Sequence, residues 1–251
     1  FFGGNGRQQA RRGRDISFEI EIPFHDSIFG TERKILVTKS SVCQTCHGSR
    51  SEPGSGTKTC PKCNGQGRIH ETKRSFLGSF SSVKTCEECL GSGKVPEKKC
   101  SVCKGAGVLK KQEEIKVVIP AGINDGEMIR MTGMGEAVAN GQAGDLYIKI
   151  NVTPHPVWKR EGANLVTTLN LKLSDALLGG EETIHALDGD IKVKIPEGLT
   201  PGEILRVRGR GVPLGKSRRG DILIRTNIKF PPKLSRKARE AIEKLKEEEG
   251  M

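Results

Sequence analysis

Aromatic residues are scarce, with one Trp and one Tyr among 251 residues, while hydrophobic residues make up 34% and charged residues 29%. That balance suits a folded chain with modest cores, not a disordered one. No apolar run approaches the roughly 18 residues of a membrane span, and no charged-then-apolar leader opens the sequence. The chain begins at Phe1 instead of Met and so reads as a fragment whose N-terminus has been cut or omitted. No nucleotide-binding loop, catalytic triad or paired-carboxylate site stands out, and no enzyme activity is expected. No cysteine is left over either: all eight fall in four copies of one motif.

Those copies are CQTCHGSR (43–50), CPKCNGQG (60–67), CEECLGSG (86–93) and CSVCKGAG (100–107). A C-x-x-C loop presents two sulfurs to one ion, and the glycines that follow allow the left-handed turn that wraps backbone around it. Two such knuckles complete a tetrahedral shell, so four predict two structural zinc sites. Disulfides would need an oxidising compartment, and uniform C-x-x-C spacing favours metal or redox use. A thioredoxin-like redox centre needs one C-x-x-C at a helix N-terminus, which four glycine-trailed copies do not offer. Spacing alone does not fix which knuckles pair. A hairpin over the residues between Cys63 and Cys86 would join the second knuckle to the third, giving Cys60, Cys63, Cys86 and Cys89. Cys43, Cys46, Cys100 and Cys103 would then form the outer site. His47 and His70 are ligands by type only and are expected at the surface.

The formal charge of +12 invites a nucleic-acid reading. Eight thiolates holding two divalent ions would lower it by four, and Lys and Arg are spread along the chain with only short clusters (7–14, 216–220). A solvated basic surface is the expectation, without specific nucleic-acid binding.

The rest of the chain is duplicated. IPAGINDGEMIRMTGMG (119–135) aligns with IPEGLTPGEILRVRGRG (195–211), and GDLYIKINV (144–152) with GDILIRTNI (220–228), both at an offset of 76. DISFEIEIPFHDSIFGTERKI (15–35) aligns with NLVTTLNLKLSDALLGGEETI (164–184) at an offset of 149. The offsets differ by 73, the length of the cysteine segment 40–112. The chain therefore reads as two copies of one β-module, with the zinc module inserted into a connection of the first. Alternating segments such as DISFEIEI, EEIKVVI and DIKVKI have the period of half-buried strands. SDALLGG (174–180) is expected as a short helix with a serine N-cap and a glycine stop, and HDSIFG is its counterpart. Near the C-terminus Ser235 can cap a helix whose apolar positions are Ala238, Ile242 and Leu245.

Together these residues resemble a class A DnaJ co-chaperone along essentially the whole chain. The resemblance implies a mainly β architecture of two tandem homologous β-sandwich-like domains. It assigns 1–13 to the end of a Gly/Phe-rich linker, 14–39 and 113–153 to a first client-binding β-domain, and 40–112 to the cysteine-rich module. Residues 154–233 form the second β-domain and 234–251 a dimerisation helix with contacts at Leu234, Ala238, Ile242 and Leu245. The N-terminal J-domain with its His-Pro-Asp loop is not in the sequence; the one His-Pro, His155-Pro156, is followed by Val157. The first knuckle departs from the pattern at Arg50, where the last glycine is expected, which puts its local turn in question.

The resemblance further implies the nested cysteine pairing, two zinc ions per chain, and a shallow groove for extended client segments at Ile16, Ile35, Val37 and Tyr147. Ile35 and Val37 share one face of their strand, although each of the four also reads as an ordinary core residue. The matching positions of the second domain are Leu165, Ile184, Ala186 and Leu223, making it a degenerate copy. The expected role is a cytoplasmic, homodimeric co-chaperone that holds unfolded polypeptides and passes them to a DnaK-type ATPase chaperone, with no membrane partner. The rival readings are a zinc-containing thiol-disulfide oxidoreductase and a zinc-dependent nucleic-acid-binding protein. Metal content would discriminate the first, and salt-dependent nucleic-acid affinity the second.

Overall fold

A computed structural model describes residues 11–75, 78–215 and 217–249. The Gly/Phe stretch expected at 1–6 lies outside the described residues. The chain is mainly β and divides into two compact units. One comprises residues 1–22, 32–119 and 124–152; the other comprises 23–31, 120–123 and 153–251.

The first unit opens with strand β1 (Ile16–Pro23) and the long strand β2 (Thr31–Val42); helix α1 (Phe24–Phe29), between them in sequence, belongs to the second unit. The cysteine segment carries β3 (Thr57–Thr59), β4 (Arg68–Ser75), β5 (Gly78–Thr85) and β6 (Lys94–Pro96). The chain then returns through β7 (Val108–Ile119), β8 (Met128–Met131) and β9 (Leu146–Thr153). The strands assemble as a sheet of order β1-β9-β8, a β2-β7 ribbon, and two small ribbons, β3-β6 and β4-β5. Alternation decides the faces. On β9 Leu146, Ile148 and Ile150 are fully buried, and on β7 Ile115, Val117 and Ile119 are buried. Strand β2 buries Ile35 and Val37 and exposes Leu36 to 58%.

The second unit repeats the plan. Its strands are β10 (Lys159–Glu161), β11 (Asn164–Lys172), β12 (Gly180–Ala186), β13 (Gly189–Ile195), β14 (Ile204–Val207) and β15 (Ile222–Lys229). Helix α2 (Leu173–Leu178) follows β11, and helix α3 (Arg236–Glu249) ends the described chain. The sheet order is β10-β11-β15-β14, with β11 parallel to β15, and β12-β13 form a ribbon. Buried residues from both sheets, among them Leu165, Leu171, Val193, Ile195, Ile222 and Ile224, make one core with Trp158. Helix α1 belongs to this core: Ile28 is fully buried in it, with Phe24 and Phe29 packed alongside.

The repeat locates the insertion. In the second unit β12 turns into β13 through Leu187 and Asp188, pairing Ala186 with Gly189. In the first, the corresponding strands β2 and β7 are joined by residues 43–107, which carry all eight cysteines. Where the second unit has a two-residue hairpin, the first carries the cysteine-rich module.

The short helices differ in one detail from the serine cap expected for them. Helix α2 starts at Leu173 with Lys172 at its N-cap and no side-chain cap bond, while Ser174 Oγ donates to Asp175 Oδ1 at 3.0 Å. The extended residue ahead of the helix comes two positions earlier than the cap preference suggests, because the helix begins where β11 ends. The glycine stop holds, with Gly179 at φ 72°. Ser235 does cap α3, its Oγ accepting from the Ala238 N–H at 3.2 Å. Among the described residues no helix is long and apolar enough to cross a membrane.

Candidate metal centres and apolar grooves

Each knuckle is built on the same backbone. The residue after the second cysteine is left-handed in all four, at His47 (φ 48°), Asn64 (49°), Leu90 (54°) and Lys104 (51°). The last position of the motif is left-handed as well, at Arg50 (71°), Gly67 (71°), Gly93 (72°) and Gly107 (79°). That geometry turns N–H groups back toward sulfur: Gly67 N–H donates to Cys63 Sγ and Gly107 N–H to Cys103 Sγ, both at 3.2 Å.

Backbone bonds then tie knuckles in pairs. Cys60 N–H donates to Gly93 O and Cys86 N–H to Gly67 O, each at 2.9 Å. Cys43 N–H donates to Gly107 O at 3.1 Å and Cys100 N–H to Arg50 O at 2.9 Å. The β4-β5 hairpin brings the second knuckle to the third, pairing Arg68 with Thr85 at its base.

The outcome is two groups of four buried thiols: Cys43, Cys46, Cys100 and Cys103, and Cys60, Cys63, Cys86 and Cys89. Across the pairs the sulfurs are 4.0 Å (Cys43–Cys100), 3.7 Å (Cys46–Cys103), 3.8 Å (Cys60–Cys86) and 3.6 Å (Cys63–Cys89) apart. A tetrahedral ion with sulfur ligands at ~2.3 Å requires sulfurs ~3.8 Å apart, so both groups fit one ion each. Backbone N–H groups of Cys46 and Cys89 hold the Cys43 and Cys86 thiols down to about 7, while burial pushes Cys46 and Cys60 up to about 11. Each group thus joins a thiol that ionises readily to one that burial keeps protonated near neutral pH unless a cation lies beside it. Four soft ligands and no open position suit a structural ion, not an activated water. His47 and His70 are exposed and belong to neither group.

Arg50 occupies the glycine position of the first knuckle and uses its side chain there. Its Nε donates to Gly105 O at 2.7 Å, and Nη1 and Nη2 reach Glu88 O at 3.2 and 3.1 Å. Sequence reading flagged Arg50 only as a departure from pattern; its length and five donors were the available signal.

Of the four groove candidates, three lie on inward-facing positions. Ile35 is 8% and Val37 4% exposed on β2. Ile16 is half-buried on β1, on the same face as half-buried Phe18 and Ile20. Tyr147 is not brought to that face. It pairs with Arg130 on β8, whose guanidinium lies 6.0 Å from the ring. The same face of the sheet carries Lys149 and Asn151, both bonded to Glu19. Glu19 alternates with Phe18 and Ile20 on β1, so Tyr147 and Ile16 project to opposite sides. The second unit gives the register directly: Leu165 pairs with Ile222, and Val166 with Leu223. At the repeat offsets Leu165 and Ile222 correspond to Ile16 and Leu146, so buried Leu146 is the inward-facing neighbour of Ile16, one residue away from Tyr147.

Sequence reading also missed Lys39, which continues the Ile35–Val37 face and is 5% exposed. Its ammonium donates to Met134 O at 2.7 Å and lies 3.3 Å from Glu113. Among the described residues β1 and β2 each pair on one side only. In the second unit the corresponding strands β11 and β12 border a cleft of about 450 Å³ lined by Thr167, Leu169, Ile184, Ala186, His155 and Trp158 among others. On the described part of the C-terminal segment Leu234, Ile242 and Leu245 are 44%, 45% and 41% exposed, and Ala238 is half-buried.

The DnaJ C terminal domain family model matches residues 16–231. A protein from Nitrosomonas europaea named "Chaperone protein DnaJ" is 42% identical over 244 residues, covering 96% of this chain and 65% of its own length. Proteins of the same name from Clostridium beijerinckii and Methanothermobacter thermautotrophicus are each 39% identical, covering 96% of this chain and 66% and 65% of their own lengths. The chain thus spans just under two thirds of the length of these curated relatives.

Proposed function

Because the chain belongs to the DnaJ C-terminal domain family, we propose that it is the client-holding part of a co-chaperone: it binds extended segments of unfolded polypeptide, limits their aggregation and passes them to a DnaK-type ATPase chaperone. The observation that carries this reading is a recurring pair of strand edges, β1 and β2 in the first unit, and in the second β12 with the part of β11 beyond Val166, where its pairing with β10 ends. An unpaired strand edge offers backbone donors and acceptors to any sequence, which is what a binder of many clients needs. Ile35 and Val37 form the floor of the first groove, and half-buried Ile16 with Phe18 and Ile20 supplies the apolar wall. Client side chains entering alternate pockets give affinity without demanding one sequence. The second unit has Ala186 where the first has Val37, so the first is the stronger site.

Each cysteine group holds one zinc ion in this reading, two per chain, and the ions serve structure. They fix four loops that have little apolar core of their own: among the described residues and beyond the thiols, the second group buries only Val95, with Ile69 and Leu109 partly covered at the two sites. The stripe on α3 joins two chains. Two weak grooves on one particle hold a long unfolded chain better than either alone. The fully thiolate shells leave no redox-ready pair, and the thiols need a reducing compartment such as the cytoplasm.

The test is suppression of aggregation of a chemically denatured client by the chain, followed by light scattering, with peptide affinity measured by fluorescence anisotropy. Protection at stoichiometric chain, weakened by a charge placed at Ile16, supports the reading. Absence of both protection and peptide binding overturns it.

A further inference from the structure

Arg50 stands where the other three knuckles have glycine, and the geometry shows what it replaces. In the second metal group the last glycines meet the opposite knuckle closely: a Cβ on Gly67 would lie 2.4 Å from Gly91 O, and one on Gly93 2.3 Å from Gly65 O. Neither position admits a side chain. In the first group the corresponding approach on one side is relaxed, a Cβ on Gly107 lying 3.1 Å from Gly48 O. On the other side Arg50 takes up Gly105 O through Nε instead. The residue keeps the left-handed φ of 71° that a side chain resists. Such a conformation persists only where surrounding bonds over-determine it.

The rest of the guanidinium leaves the first site altogether. Both Nη atoms donate to Glu88 O, the carbonyl directly before Cys89, a ligand of the second site. The carbonyl directly after Cys89, Leu90 O, accepts from Arg11 Nη1 at 3.1 Å. A ligand loop of the second site is therefore held on one flank by a residue of the first.

We infer that Arg50 couples the two metal centres, so that filling one favours filling the other. An ion in the second site fixes the third knuckle and with it the Glu88 carbonyl. The guanidinium then rests on a fixed acceptor, which holds the first knuckle and Gly105 of the fourth in ligating geometry. The coupling runs equally in reverse, since the same bond is made in both directions of loading. Arg50 is a positioning residue: it touches no ion and acts through the two loops it joins. The inference rests on the metal reading above.

The test uses the full chain stripped of metal and given one equivalent of zinc, with native mass spectrometry counting chains that carry no, one or two ions. Independent sites of equal affinity leave about half of the chains with a single ion, and coupling depletes that population. We expect the one-ion population to be at least about twofold smaller in the Arg50 chain than in Arg50→Gly, a substitution that restores the glycine of the other knuckles and relieves the backbone. A second measurement compares the zinc affinity of the first site with and without Cys86→Ser, which disables the second. That change should weaken the first site at least about fivefold when Arg50 is present and less than about twofold in Arg50→Gly. Equal one-ion populations, or an equal effect of Cys86→Ser in both backgrounds, overturn the coupling while leaving the metal reading intact. Saturation below two ions per chain in the unsubstituted protein overturns the metal reading itself.

Discussion

Arg130 donates to Asp145 Oδ2 from both Nε at 2.8 Å and Nη2 at 2.6 Å. The other carboxylate oxygen accepts from the Gly133 N–H at 2.8 Å, and Asp145 lies 2% exposed at the foot of β9. The device recurs in the second unit, where Arg206 Nε and Nη2 bond Asp221 and the Gly209 N–H donates at 2.8 Å. In each repeat a buried carboxylate ties the turn after the short strand to the start of the central one. It holds these bonds as a charge: the Gly133 N–H and then Arg130 lower the Asp145 pKa, and the Gly209 N–H with Arg206 lowers that of Asp221.

Replacing Asp145 with Ala should therefore loosen the first unit alone, because the bonds it removes are all within that unit. Its melting transition should fall by roughly 5 °C or more while that of the second stays in place. Asp221→Ala should do the converse. Hydrogen exchange reads the two units separately, and an equal loss of protection in both after either change would contradict the assignment.

Metal removal has a bounded effect. The knuckles bury little besides their thiols, whereas the first unit's core of Ile22, Val117, Ile119, Leu146, Ile148 and Ile150 lies outside 43–107. A strong chelator should strip protection from 43–107. It should also loosen the loop around Ala139, whose Cβ sits 2.8 Å from a Cβ built on Gly107. Strands β9 and β11–β15 should keep theirs. Collapse of the whole protein on chelation would show that the module is part of the main core.

Much of this was legible in the sequence because repetition is a strong signal. The two offsets exposed both the duplicated β-plan and the length of the insert, and the alternation of Ile35, Leu36 and Val37 on β2 gave their faces. What stayed hidden depends on single-residue register or on contacts remote in sequence. Tyr147 and Ile148 lie one residue apart on opposite faces of β9, and matching along a chain does not resolve such a step. Arg50 read as a damaged turn because its partners, Gly105 and Glu88, are 55 and 38 residues away. Helix α1 read as part of the first copy, yet Ile28 is buried in the core of the second unit. An internal alignment carries no information about which core a segment joins.

Acid should act through Glu113. Lys111 first, then Ser41 and Lys39, hold its carboxyl down from the ordinary 4.5 to about 2. A carboxyl with a depressed folded-state pKa stabilises the fold fully above the unfolded value, and that contribution is lost as pH falls from about 4.5 toward 2. Glu113→Gln should be less stable than the parent at pH 7 and converge with it near pH 2. Urea midpoints across this range test the prediction. Loss of metal in acid affects both forms alike, so the difference between them isolates Glu113. Parallel curves would exclude the ion pairs as its source.

Helix α3 should join two chains through its exposed apolar residues. Ile242 and Leu245 lie at helical spacing on α3 and Leu234 just ahead of its cap, and all three remain over 40% exposed on the single chain. Ile242→Asp should convert a dimer to a monomer in sedimentation at micromolar concentration. The monomer should bind short peptides normally and protect long aggregating clients poorly, since only avidity is lost. A parent chain that already sediments as a monomer would remove this element of the proposal.

Client affinity should distinguish the two faces of the β1-β9-β8 sheet. Ile16 lies on the apolar face with Phe18 and Ile20, and it is half-buried, so a polar replacement there is tolerated by the fold. Val37 is 4% exposed, and an aspartate at that position would bury a charge, so lost binding there would not separate the groove from stability. Burying one aliphatic anchor contributes about 1.5–3 kcal/mol. Ile16→Asp should accordingly weaken an extended apolar peptide by at least about tenfold, at an unchanged melting temperature. Tyr147→Ala removes a larger side chain from the opposite face, where its neighbours are Arg130, Lys149 and Glu19 through its strand partners, and should leave the same affinity within about twofold. Anisotropy titrations with one labelled peptide compare the two directly. If Tyr147→Ala were the damaging change and Ile16→Asp the silent one, clients would lie on the charged face, and the strand-edge groove built on Ile16, Ile35 and Val37 would be the wrong surface.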